Sequence, residues 1–220
     1  MEFIAEAADK KTILKQDIGI NPFLIENNIS RIEKITDFLT SSAPLLLVNG
    51  FMGTGKIYVV NQALSFLKDD VITLKYNCFE TTILDDILLE FFDNFKRLTA
   101  QNIIQIPKAR TENFTQKINA YFDSISKPVL IVINSFEQIL KDNKQEILNF
   151  FSHIAKSGKV KIIVISRKFD YEDFNNIDYE KVSITALEKG IFEKYLKSED
   201  IKQIGPLSDE LYKYSRGYFF

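Results

Sequence analysis

Apolar residues follow two alternating patterns along this chain, short runs typical of strands and longer stretches with helical spacing. The short runs are Leu45–Val48, Val71–Tyr76, Val129–Ile133, Val160–Ile165 and Val182–Ile184. Strands that alternate with helices predict right-handed βαβ units around a parallel sheet. The run Val129–Ile133 is apolar at every position, which is typical of a central strand with helices on both faces.

The helical stretches lie before, between and after these runs. Asn28 or Ser30 is a candidate N-cap for a helix through Ile32 to Leu39. Residues 99–110 and 168–180 lack a helical or strand period and are predicted as loops. Apolar residues recur every three or four positions, and so predict helices, at 59–67, 83–98, 111–125, 145–156, 188–196 and 208–216.

The turn after the first predicted strand is rich in glycine and ends in a lysine. Gly50, Gly53 and Gly55 would let consecutive backbone N–H groups curve around a phosphate with no Cβ in the way. The next helix adds its unpaired N–H groups, and Lys56 adds a mobile ammonium. This order of elements predicts a nucleotide phosphate-binding loop, with a ligand-free turn as the simpler interpretation. The candidate nucleotide contacts are Gly50, Phe51, Met52, Gly53, Thr54, Gly55, Lys56 and Ile57.

A further candidate contact lies before the first predicted helix. The segment Ile20–Phe23 breaks the preceding pattern, and segments just before a phosphate loop can form the wall of the base pocket. Asn21 and Pro22 are therefore candidates for base contact. A plain helix-capping turn is an equal alternative.

Composition excludes several classes of function. The formal net charge of −2 gives no global basic field, so nucleic acid is not expected as a partner. Cys78 and His153 are the only residues of their types, which excludes an internal disulfide and leaves no metal-binding pair; Cys78 is expected to be a buried small hydrophobe. Residues 1–14 lack the apolar core of a signal peptide, and no apolar run reaches the ~20 residues of a membrane span, so the cytoplasm is the expected compartment. The apolar end Gly217–Phe220 favours a chain cut from a longer polypeptide.

A second group of chemical interest follows the third predicted strand. That strand ends in Asn134, and Glu137 lies three residues further along. In phosphate-loop ATPases an acidic residue at this strand end holds Mg²⁺, and a carboxylate just beyond it orients the attacking water. Glu137 is therefore a candidate catalytic acid. The alternative is a solvated acid that favours the start of a helix.

The segments GFMGTGK and LIVINSFEQIL together resemble the two nucleotide motifs of STAND-type ATPases (signal-transduction ATPases with numerous domains), within the AAA+-like group. The resemblance implies a three-layer α/β/α P-loop NTPase fold with a central parallel sheet of about five strands. It places Asn134 where the family has its metal-linked aspartate and Glu137 where the family has its catalytic acid. Ser166 and Arg167 are similar to the family's sensor, whose arginine touches the γ-phosphate, so Arg167 is the second candidate catalytic residue.

The resemblance also implies a division of the chain and a ligand. Residues 1–40 would form an N-terminal segment and helix, residues 41–185 the P-loop core, and residues 186–220 the start of a C-terminal helical lid. The ligand implied is ATP or ADP. The residues alone do not separate ATP from GTP, although the resemblance favours adenine.

Two departures from the family pattern affect the same chemistry. Ile57 replaces the hydroxyl that ligates Mg²⁺, and Asn134 replaces the carboxylate beside it. Because Mg²⁺ prefers oxygen ligands, metal binding is expected to be weak or absent. We therefore expect a nucleotide-dependent switch in a larger signalling ATPase, with other domains or proteins as partners and slow or absent hydrolysis. A pseudo-ATPase interaction scaffold and an AAA+ helper acting on DNA are the alternatives.

Overall fold

In the computed structural model, which describes residues 22–67, 71–100, 114–198 and 208–216, five strands form one parallel sheet. The strand order is β2-β3-β4-β1-β5, and every neighbouring pair is parallel. The predicted central parallel sheet is confirmed. The strands are β1 (Leu45–Asn49), β2 (Ile72–Asn77), β3 (Val129–Asn134), β4 (Val160–Ser166) and β5 (Tyr179–Ser183).

Helices cover both faces of this sheet. Successive residues of a strand point to opposite faces, so Leu45 and Leu47 pack with α3, α4 and α5, while Leu46 and Val48 pack with α1 and α2. This is the three-layer α/β/α fold that the resemblance implied. In the described ranges, no helix is both long and apolar enough to cross a membrane. The helices are α1 (Pro22–Phe38), α2 (Lys56–Leu64), α3 (Leu84–Ala100), α4 (Phe114–Ser124), α5 (Lys141–Ala155), α6 (Lys189–Ser198) and α7 (Ser208–Ser215).

The first helix begins earlier than predicted. α1 starts at Pro22, so Asn28 and Ser30 lie inside the helix and the prediction that one of them caps it is wrong. Proline is favoured in the first turn of a helix, because the N–H it lacks would have no intrahelical acceptor there. The proline that was interpreted as a break is therefore part of the helix start.

Several other boundaries differ from the sequence prediction, including those of α3, α5 and β5. α3 continues to Ala100, and α5 begins at Lys141 instead of residue 145, so both helices extend beyond their apolar stripes. β5 lies at Tyr179–Ser183 instead of 182–184, because its backbone pairs with the whole of β1 although Val182 alone of its five side chains is buried. The predictions for residues 101–113 and 217–220 lie outside the described residues.

Candidate functional site

The carboxyl ends of the five strands meet at one edge of the sheet, because all the strands are parallel. Two pairs of these end residues are hydrogen-bonded through their side chains. Asn134 Nδ2 donates to Asn77 Oδ1 at 3.1 Å, and Ser183 Oγ donates to Asn49 Oδ1 at 2.7 Å. The edge therefore offers amides and hydroxyls, and no carboxylate stands at a strand end. The strand-end residues are Asn49, Asn77, Asn134, Ser166 and Ser183.

The glycine loop between β1 and α2 is a curled turn. Gly53 and Gly55 have φ angles of 77° and 75°, in the left-handed region that glycine adopts without strain. A Cβ on Gly50 would collide with the carbonyl oxygen of Ile184, which lies just after β5. Thr54 Oγ1 donates to the carbonyl of Phe51 at 2.9 Å, which closes the turn. The conformation therefore requires glycine at three positions that the sequence marks.

Lys56 is the first residue of α2, and its ammonium lies against the loop. Nζ donates to the carbonyls of Gly50 at 2.8 Å and Phe51 at 2.9 Å. Burial lowers the pKa of Lys56, Glu137 opposes that shift, and Arg167 adds to it. These three charged groups therefore share one electrostatic environment at the N-terminus of α2.

A cleft of about 310 Å³ opens between the glycine loop and the segment after β3. This volume lies at the small end of the range for ligand pockets. The cleft brings together Lys56, Glu137 and Arg167, which are far apart in the sequence. The lining residues are Met52, Gly53, Gly55, Lys56, Ile57, Asn134, Ser135, Glu137, Gln138 and Arg167.

Glu137 and Arg167 form an ion pair in this cleft. Arg167 Nε donates to Glu137 Oε1 at 2.6 Å, and the Arg167 backbone N–H donates to Oε2 at 3.1 Å. Burial would raise the pKa of Glu137, but hydrogen bonds from the backbone N–H groups of Glu137 and Arg167, and from the side chains of Ser166 and Arg167, outweigh it and lower the pKa. Glu137 is therefore an anion at neutral pH, because hydrogen bonds from the protein stabilise its charged form.

The backbone before Glu137 is strained. Ser135 has a φ of 59°, a left-handed conformation that non-glycine residues rarely adopt. It links β3 to the short 3₁₀ turn Phe136–Gln138, which carries Glu137. Backbone strain of this kind persists only where the surrounding structure fixes it, and it is found mostly at functional sites.

The residues at the expected metal position do not fit a Mg²⁺ centre. The alkyl side chain of Ile57 is 38% exposed and lines the cleft. The Asn134 amide is neutral and is bonded to Asn77. Within the described ranges, no group of three His, Cys, Asp or Glu residues could hold a metal ion. Mg²⁺ needs oxygen ligands and usually one or two carboxylates, so the donor set here is too poor for it.

The structure brings most of the predicted site residues together. Among the loop candidates, five line the cleft, whereas Gly50, Phe51 and Thr54 shape the loop without lining it. Pro22 is the first residue of α1, and Asn21 lies outside the described residues.

Three residues at or beside the cleft were not among the candidates. Ser135 and Gln138 line it, and Asn77 bonds to one of its lining residues. Ser135 and Gln138 lie close to Glu137 in the sequence, and this closeness was the signal that could have identified them as cleft residues. The position of Asn77 depends on the pairing of β2 with β3, which places it opposite Asn134.

Solved structures with a similar fold include ATPases and proteins of the ORC type. A Signal Transduction ATPase with Numerous Domains (STAND) protein with a tetratricopeptide repeat sensor, from Pyrococcus horikoshii, matches with a TM-score of 0.58 and 13% identity, over 86% of this chain and 28% of that one. The Aeropyrum pernix ORC1 protein in complex with DNA matches with a TM-score of 0.60 and 10% identity, over 87% and 56%. Drosophila ORC bound to DNA matches with a TM-score of 0.59 and 15% identity, over 88% and 52%. The chain thus spans 28% to 56% of these proteins, and at such identities the likeness is one of fold.

Sequence comparison identifies the family. No curated protein matches the chain. The family profile described as AAA domain matches residues 39–170, which is more than half of the chain and includes the glycine loop, Lys56, Glu137 and Arg167. The chain therefore belongs to the AAA domain family, and its core has the P-loop ATPase fold of the AAA+-like group.

Proposed function

We propose that this chain is a nucleotide-dependent switch domain of a larger, cytoplasmic, signalling-type ATPase. It binds ATP or ADP with the glycine loop around the phosphates. Lys56 and Arg167 contact the phosphate chain, and hydrolysis is slow or absent. The observation that supports this proposal is the cleft, which gathers two cations beside a loop whose backbone is already curled.

The expectation of slow hydrolysis follows from the donor set at the metal position. Phosphoryl transfer depends on neutralising charge and aligning the reacting groups. Ile57 and Asn134 contribute neither an anionic ligand nor a hydroxyl at that position. Nucleotide can still bind through main-chain N–H groups and Lys56, because these contacts need no metal.

The switch would act between the P-loop core, residues 41–185, and the start of a lid, residues 186–220, with residues 1–40 as the N-terminal part. The described lid helices contact each other. Lys189 and Asp209 form an ion pair at 2.7 Å, and the Phe192 and Tyr212 rings are 5.4 Å apart. α1 packs against α6, so a ligand that favours one arrangement of core and lid could shift the population of both.

The first prediction is that Lys56→Ala weakens nucleotide binding. Isothermal titration of the purified protein with ATP and ADP, with and without Mg²⁺, should show binding in the wild type that changes little on adding EDTA. Lys56→Ala should weaken ATP binding by about tenfold or more, because it removes a charge-assisted phosphate contact. Lys34→Ala, an exposed lysine on α1, is the matched control and should bind as the wild type does.

Two other functions make different predictions, one for this titration and one for a titration with duplex DNA. A scaffold whose pocket is not used would bind neither nucleotide at millimolar concentration. A helper ATPase acting on DNA would bind duplex DNA with a marked salt dependence. Two of the similar structures are complexes with DNA, so the comparisons give no support to the expectation that nucleic acid is not a partner.

A further inference from the structure

Arg167 contacts both oxygens of the Glu137 carboxylate. Oε1 accepts the Nε–H of Arg167, and Oε2 accepts the backbone N–H of the same residue. Each carboxylate oxygen has a second lone pair, so these contacts leave acceptor capacity on both oxygens. The two contacts do hold the backbone and the side chain of Arg167 against one carboxylate. The geometry therefore gives Glu137 a structural role toward Arg167.

The outer edge of the Arg167 guanidinium remains available. The Glu137 side chain is 11% exposed, whereas the Arg167 side chain is 52% exposed. Among the described residues, no hydrogen-bond acceptor contacts Nη1 or Nη2 of Arg167, and the residue lines the same cleft as Lys56. The two outer nitrogens of a guanidinium form a planar fork that matches two oxygens of a phosphate group.

We propose that Glu137 is a positioning residue that clamps Arg167, so that the outer edge of the guanidinium receives the terminal phosphate of a bound nucleoside triphosphate. The inference rests on the proposed nucleotide binding and assigns Glu137 a role other than general base. A long, exposed side chain loses conformational freedom when it binds a ligand. The partly buried carboxylate fixes Arg167 in advance, so less of that cost remains at the moment of binding.

This arrangement predicts that the site distinguishes ATP from ADP. ADP lacks the γ-phosphate and would leave the outer edge of the Arg167 guanidinium in water. The lowered pKa of Glu137 agrees with this role, because a carboxylate with a lowered pKa is a weaker base at neutral pH.

Charge repulsion alone makes the opposite prediction. If Glu137 acted only as a nearby negative charge, its removal would strengthen binding of both nucleotides, and of ATP more than ADP because ATP carries more negative charge. If Glu137 positions Arg167, its removal weakens ATP binding and lowers the preference for ATP. The sign of the change in the ATP/ADP affinity ratio therefore separates the two roles.

The experiment is isothermal titration of the full chain with ATP and with ADP, in the wild type and four variants. The variants are Glu137→Gln, Glu137→Ala, Arg167→Ala and the double variant Glu137→Ala with Arg167→Ala. We expect the wild type to prefer ATP by about tenfold, the magnitude of a bidentate charge-assisted contact. Arg167→Ala should remove this preference, and Glu137→Ala should remove most of it. The double variant should match Arg167→Ala, because Glu137 acts through Arg167.

Two controls keep this experiment interpretable. Glu146→Gln, an exposed acid on α5, should keep the wild-type ratio. Glu137→Gln preserves the shape of the side chain but loses the charge and one of the two acceptors for Arg167, so it should lower the ATP/ADP ratio by less than Glu137→Ala does. It remains informative if Glu137→Ala does not fold. Thermal unfolding of each variant identifies loss of the folded state.

The contrary outcomes are distinct. An ATP/ADP ratio that is unchanged or raised in the Glu137 variants overturns the inference and leaves nucleotide binding intact. A turnover of Glu137→Gln that is lower than that of the wild type by roughly 100-fold or more also overturns it, because that is the effect of removing a general base. A wild type that binds neither nucleotide overturns the proposed function and the inference with it.

Discussion

At the scale of single residues, the site combines a curled glycine loop that ends in Lys56 with a poor set of metal ligands. The glycines adopt the conformations that their positions in sequence predicted, and Lys56 points into the loop. Cys78 is 1% exposed, and burial raises its pKa to about 12, so the prediction of a buried small hydrophobe is confirmed. Ile57 and Asn134 are the two positions where the local chemistry departs from a metal-assisted site.

These two positions can be tested by restoring the missing ligands. The double variant Ile57→Thr with Asn134→Asp adds a hydroxyl and a carboxylate, both oxygen ligands that Mg²⁺ accepts. We expect ATP binding to become Mg²⁺-dependent, with affinity about tenfold higher in Mg²⁺ than in EDTA, a change of about 1.4 kcal/mol, because a bound metal would neutralise charge on the phosphates. Titration with ATP under both conditions measures this, and each single variant should show less than the pair. Equal Mg²⁺ dependence in the wild type would contradict our reading of the site.

At the scale of elements, local signals predicted the unit from β1 through the glycine loop to α2, because one continuous segment contains all its determinants. The start of α1 was missed because Pro22 is compatible with both a break and a first helical turn. β5 was placed too late because its position is set by pairing with β1 and hardly by its own polarity. The same limit applies to the cleft, where Asn77 reaches Asn134 only through strand register.

A buried lysine on β4 is hydrogen-bonded to the end of α1 and to the loop that follows it. Lys161 on β4 is 7% exposed, and its Nζ donates to the carbonyls of Phe38 at 3.2 Å, Ser41 at 2.6 Å and Ala43 at 2.6 Å. Lys161→Met keeps the side-chain length and leaves these carbonyls without that donor. We expect the free energy of unfolding to fall by about 2 kcal/mol, as measured by urea denaturation. Lys75→Met, which replaces an exposed lysine on β2, is the control. If Lys161→Met lowers the free energy of unfolding by less than about 0.5 kcal/mol, as an ordinary surface substitution does, the three hydrogen bonds of Lys161 contribute little to stability.

At the scale of the whole molecule, one arginine joins the first helix to the exit of the last strand. Arg31 on α1 donates from Nε to the Ser183 carbonyl at 3.1 Å and from Nη2 to Thr185 Oγ1 at 2.6 Å. Between these two residues, Ile184 donates its N–H to the Asn49 carbonyl at 2.7 Å and lies against Gly50. The segment that leads to α6 is therefore hydrogen-bonded to α1 on one side and contacts the glycine loop on the other.

This connection predicts how far the effect of nucleotide extends. In hydrogen–deuterium exchange, ATP should slow amide exchange in the wild type both at residues 50–56 and in α6, because the segment between them links the two. Arg31→Ala should keep the protection at residues 50–56 and lose it in α6, since the tie to α1 is removed while the loop is untouched. Lys34→Ala, one turn from Arg31 on the same helix, should behave as the wild type does. If ATP slows exchange in the loop of the wild type but leaves α6 unchanged, the effect of the ligand is confined to the core. That result would contradict a switch between core and lid.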